Sequence, residues 1–145
     1  MDMGRDIKLI KIVKVFIICL CMAFAFVGAG KGFEVGQNNV VGKWRSRSFS
    51  KKLAIKIGLN EPVESTIEIR NDGSFTARNF PVRSPYRLVD LEGRWRVISG
   101  EMTPSGKDSL LLDDNFLTGA RTVGNDCLVY LVSGKDEIKV VFYRQ

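Results

Sequence analysis

The stretch STIEIRNDGSFTARNF, Ser65 to Phe80, decides the reading of the chain. Ile67 and Ile69 share one face of an alternating segment, Asn71-Asp72-Gly73 supplies residues that tolerate positive φ, and Phe75 and Ala77 resume the alternation. Strand side chains point to opposite faces in turn, so this pattern predicts a β-hairpin with one apolar side.

Working outward, the C-terminal end repeats the theme. CLVYLV (127–132) and EIKVVFYR (137–144) flank Ser133-Gly134-Lys135-Asp136, which predicts a second hairpin. In this hairpin both faces are apolar. Such a pair is either buried on both sides or has its second face covered by a rim or a partner. Further strands are expected over Val40–Arg47, Leu53–Ile57, Gly93–Ser99 and Ser109–Leu112, with another at Arg87–Asp90. No segment of 11 or more residues keeps helical spacing. The expected fold is therefore all-β, a mainly antiparallel up-and-down barrel or strongly curved sheet of about eight strands, since closure removes exposed sheet edges. Trp44, Ile67, Phe75, Trp95, Val129 and Phe142 are expected to line its interior.

The chain has 145 residues, enough for one core. Its first 29 residues read as an export signal: Arg5, Lys8, Lys11 and Lys14, then the uncharged run Val15–Ala29. That run is shorter than the roughly 20 apolar residues of a comfortable membrane span, which favours a cleaved signal helix. Cleavage is expected after Ala29, with Ala23-Phe24-Ala25 as the second choice. The competing reading is an uncleaved anchor over residues 7–29, with Lys11 and Lys14 snorkelling. Residues 30–39 read as a linker and 40–145 as the β domain. Cys19 and Cys21 would leave with the signal, so Cys127 has no intramolecular partner in the mature chain. Neither signal cysteine follows a small residue, which argues against lipid attachment. Export to the periplasm or the cell exterior follows.

Formal charge is +6, and beyond the first 14 residues 18 cations face 14 anions. That mild excess suits anionic lipid, glycan or acidic protein surfaces and falls short of a nucleic-acid footprint. Six cations from Lys43 to Lys56 occur without an acid between them. Two segments echo each other, Gly42-Lys43-Trp44-Arg45 and Gly93-Arg94-Trp95-Arg96, each with Trp on one strand face and cations on the other.

The two Gly-x-Trp strands (Gly42 with Trp44, Gly93 with Trp95), the I-E-I-R-N-D-G-S-F hairpin and the terminal F-Y-R resemble the small lipocalin-like bacterial domains. The resemblance spans most of Val40 to Arg144. It implies that Trp44 plugs one end of an up-and-down barrel and that Arg144 stacks across its ring, with Gly42 and Trp95 serving barrel closure. The chain departs from true lipocalins in its short body, the lack of a C-terminal helix pattern and the lack of a structural disulfide. A barrel this small can be filled by its own side chains instead of holding a cavity.

The chain contains no histidine. This removes Ser-His and Cys-His nucleophile pairs and the usual zinc ligand. Cys127 reads as a small buried hydrophobe. Gly100–Asp108 reads as a surface hairpin loop without phosphate-loop spacing, and Asp113, Asp114 and Asp72 as turn acids. No catalytic residue, metal or cofactor is expected. The most distinctive loop, Asn79 to Tyr86, carries two prolines with Phe80, Arg83 and Tyr86, and these three are the expected ligand or partner contacts. The alternative is a rigid connector whose Phe80 and Tyr86 pack onto the barrel end. The expected function is an exported, non-enzymatic binding module for a protein or small amphipathic ligand. The contrasting expectation is a membrane-tethered structural or interaction protein of the cell envelope, with the basic run against an anionic membrane surface.

Overall fold

Alternating apolar residues after Asn39 produce eight strands that close on themselves. A computed structural model describes residues 33–122 and 124–145. The expected export segment, 1–29, lies outside the described residues. The strands are β1 (Gly42–Ser46), β2 (Thr66–Ile69), β3 (Ser74–Val82), β4 (Arg87–Ile98), β5 (Ser109–Leu112), β6 (Asn115–Thr122), β7 (Asn125–Ser133) and β8 (Ile138–Arg144). Each pairs antiparallel with its sequence neighbours, and β8 returns to β1 with Trp44 opposite Arg144, so the sheet is a closed up-and-down barrel. Closure pairs every strand on both sides and leaves no free edge. One short helix, α1 (Lys51–Ile57), lies between β1 and β2. No helix among the described residues is long and apolar enough to cross a membrane.

The expected first hairpin is present, and its register sets Ile67 opposite Ala77 and Ile69 opposite Phe75. Its turn is locked by Asp72, whose carboxylate accepts from the Ser74 amide at 2.8 Å, while Gly73 takes a φ of 82°. In β3 the alternation breaks between Ala77 and Phe80, where Asn79 adopts a φ of 51° and donates its amide to Asp90. The extra residue reverses the parity of the strand beyond it. Ala77 and Phe80 consequently both face inward.

Four sequence expectations need correction. Leu53–Ile57 is the body of α1, not a strand. Ser50 caps it, accepting from the Leu53 amide at 3.2 Å, and Gly58 ends it with a left-handed φ of 79°. The segments Arg87–Asp90 and Gly93–Ser99 belong to one 12-residue strand, β4. β6 was not anticipated, because Asn115 reads as a turn residue and Gly119 interrupts the apolar pattern. Val129 faces outward: its pairing with Thr118 and Val141 sets it on the outer wall, while Leu128 and Tyr130 point inside.

Phe33 and Val35, within the stretch read as a linker, are buried with Val40 in the main core. They enter beside Gly119, where any Cβ would collide with the Phe33 carbonyl and come within 2.9 Å of its ring. The missing side chain on β6 is thus the slot that admits the incoming chain.

Candidate functional site

A barrel fold offers its two ends, its interior and its outer wall for binding. At one end, Val40 and the residues before it, back to Phe33, pack over Trp44. The Trp44 indole N–H donates to the Val40 carbonyl at 2.8 Å, and the Phe33 ring lies 5.9 Å from it, centroid to centroid. The Arg144 guanidinium sits 4.3 Å above the Trp44 ring and donates to the carbonyls of Val41, at 3.0 Å, and Asn39. The cation is held by the ring face and by two carbonyls at once. Gly42 is needed for the same reason of space. Its φ is 137°, and a Cβ there would stand 3.1 Å from an Arg144 nitrogen. Trp95, half-buried on the inner face of β4, donates its indole N–H to the Arg70 carbonyl at 2.7 Å and so seats the β2–β3 turn.

The opposite end is covered by α1, the β3–β4 turn and the β7–β8 turn. Leu53 is fully buried there, and Ile57, one helical turn later, packs against the same core. Asp136 joins the three pieces. It accepts from the Tyr86 hydroxyl at 2.7 Å and pairs with Lys56 at 3.5 Å, and its backbone carbonyl accepts from Lys52 at 2.5 Å. Lys56 also lies 5.0 Å over the Tyr86 ring. The Tyr86 hydrogen bond, reinforced by Lys56, holds the Asp136 carboxyl below its ordinary value of 3.8.

The three loop residues expected as contacts therefore separate. Phe80 is fully buried in the core, 4.7 Å from the Tyr130 ring and stacked at 6.0 Å on Phe142, so it is not available to a partner. Tyr86 is committed to Asp136. Arg83 is exposed and donates to the Ser133 hydroxyl at 3.2 Å. Of the two readings of this loop, the geometry at Phe80 and Tyr86 is that of a connector packed onto the barrel end.

Side chains occupy the interior. Trp44, Phe75, Phe80 and Phe142 are its largest fully buried members, joined by Ile and Leu from every side of the barrel. Polar groups among them are paired: the Tyr130 hydroxyl donates to the Asn115 side chain at 3.1 Å, the Ser46 hydroxyl accepts from the Ser65 amide at 2.9 Å, and burial raises the Tyr130 pKa.

The outer wall has two characters. Over β2 to β4 it is ionic: Arg78 bridges Asp90 at 3.1 Å and Glu92 at 3.3 Å, and Arg70 approaches Glu68 at 3.6 Å. Asp90 is held below its ordinary value first by the Asn79 amide and then by Arg78. Over β6 to β8 the wall is apolar. Phe116, Val129 and Leu131 line an open cleft of about 470 Å³, edged by Pro104 and Ser105 on one side and by Asp114 and Lys139. Leu131 is 57 % exposed and adjoins Phe116 and Val129, so its exposure belongs to a patch and not to a single side chain. None of these residues is among the contacts expected from the sequence. The signal was present in the two apolar faces of the C-terminal hairpin.

Chemically reactive candidates are muted. Cys127 is buried, its thiol donates to the Ala120 carbonyl at 3.2 Å, and burial pushes its pKa up, which disfavours the thiolate. Among the described residues no three Cys, Asp or Glu side chains gather into a metal cage. Asp72 is lowered by its Ser74 hydrogen bonds and stays a turn acid.

These features define a class: a closed eight-stranded antiparallel barrel, capped at both ends, filled within, and apolar on one outer wall. No family model matches the chain, and neither a curated protein nor a solved structure does so.

Proposed function

We propose that this protein is an exported, non-enzymatic binding module that engages its partner, a protein segment or small amphipathic ligand, through the outer wall of β6 to β8. The observation that carries this reading is Leu131, exposed in a cleft between Phe116, Val129 and the Pro104–Ser105 loop. Burying such a wall removes apolar area from water at about 25 cal/mol per Å². A polar rim of Asp114 and Lys139 is available for orientation. The filled interior supports the wall over the barrel mouth, because an interior ligand would have to displace Phe80, Tyr130 or Phe142. The resemblance to lipocalin-like domains stays compatible with this reading as a matter of architecture. Export rests on the cationic and apolar N-terminal run of the sequence.

Photo-cross-linking in the producing cell tests the proposal. A photoreactive residue at position 131 is expected to give discrete adducts, and the same residue at position 76, on the ionic wall, is expected to give none. For a small ligand, an anionic naphthalene dye should brighten with the full chain and lose that response in Leu131→Glu. Absence of adducts at 131 together with dye binding that Leu131→Glu leaves intact would overturn it.

A further inference from the structure

We infer that α1 docks this domain onto an anionic lipid bilayer, with Ile55 entering the headgroup boundary and Lys51 set among lipid phosphates, while Lys52 and Lys56 stay on Asp136 and add their charge from beside it. Two features of α1 are each unfavourable in water. Ile55 is 68 % exposed, on the side of the helix away from Leu53 and Ile57. A lone exposed isoleucine would need no explanation. Here it stands one turn after Lys51 and next to Lys56. The second feature is the placement of charge: the first turn holds Lys51 and Lys52 and no acid. A helix N-terminus carries partial positive charge, so lysines there oppose the field of their own helix.

A single environment relieves both. An anionic bilayer surface takes up the apolar side chain at its acyl boundary and offsets the lysine charge, and the long stem of Lys51 lets its ammonium group reach phosphates around a buried Ile55. No acid lies between Arg47 and Lys56 in the sequence, and Arg47 itself is turned onto the Tyr143 ring, 4.5 Å from its centroid, away from this surface. The acids facing the helix from the adjoining turn are Asp136, already engaged with Tyr86 and Lys56, and Glu137. An acidic protein would satisfy the charges but gives no reason for the isoleucine. The site is separate from the apolar cleft over β6 to β8 and does not depend on it.

Hydrogen exchange of the full chain provides a local reading that the N-terminal apolar run does not confuse. Vesicles of equal parts phosphatidylglycerol and phosphatidylcholine are expected to slow exchange of the 51–57 amides, and pure phosphatidylcholine vesicles to leave it unchanged. Lys51→Gln should weaken the effect about fivefold in lipid concentration, the factor for one lysine at such a surface. Ile55→Glu should abolish it, and an unchanged far-ultraviolet spectrum would show that the barrel persists. The proposal is overturned by no protection with the anionic vesicles, by equal protection with the zwitterionic ones, by insensitivity to Ile55→Glu, or by protection with soluble polyglutamate but not with vesicles.

Discussion

Gly119 shows how one residue can determine the closure of a barrel end. Leu128, its partner across the sheet, and the next inward pair, Leu117 and Tyr130, fill the interior, while the glycine leaves a gap that Phe33 and Val35 occupy. Gly119→Ala forces the Phe33 carbonyl aside, and overpacking of this kind costs about 1–3 kcal/mol. Urea unfolding monitored by tryptophan fluorescence should show that loss, with Trp44 reporting directly because Phe33 packs on it. A variant as stable as the parent would mean that the 33–35 segment yields freely. The sequence alone marks Gly119 only as a break in an apolar pattern. The residues that give it meaning lie more than 80 positions away. Phe80 teaches the converse: its side is set by the bulge at Asn79, and one extra residue in a strand inverts every facing beyond it.

Among the elements, α1 was the one least legible in sequence. Leu53, Ile55 and Ile57 alternate with Ala54 and Lys56, which is the pattern of a half-buried strand, and seven residues are too few to reveal a helical period. Local chemistry at the ends decides otherwise, through the Ser50 cap and the left-handed Gly58. Ser50→Ala is expected to destabilise the protein by about 1 kcal/mol. Amide exchange should locate that loss in residues 51–57, not spread over the barrel, because α1 is tied down by few interactions besides Leu53, Ile57 and the Asp136 cluster. The hairpins were readable because turn and alternation agree within a dozen residues. β6 was not, since Asn115, Thr118 and Gly119 carry little apolar signal, and only pairing to β5 and β7 gives the segment its conformation.

At the scale of the molecule, three carboxylates hold turns in place: Asp72 within the β2–β3 turn, Asp90 across to the β3 bulge, and Asp136 between the β7–β8 turn, Tyr86 and α1. All three have folded-state pKa values below the ordinary 3.8. A depressed value means the folded state favours the ionised form. Their contribution is therefore fully present above the unfolded value and is lost as the pH falls through the folded values. Melting temperature should stay level from neutrality down toward pH 4 and drop below it. Asp136→Asn should lower stability at neutral pH and flatten part of the acid drop, whereas an acid limb identical to that of the parent would remove Asp136 from the account.

The sequence by itself determined that this is a β protein of hairpins without histidine, because alternation, turn residues and composition are local properties of the chain. The tertiary structure decided the rest: that the ends are capped, that Phe80 is core, that β6 exists, and that one wall of the barrel stays apolar and open. Those outcomes depend on which strands become neighbours and on which face a bulge leaves each side chain. Such relations are set by closure of the whole sheet, and no window of sequence contains them.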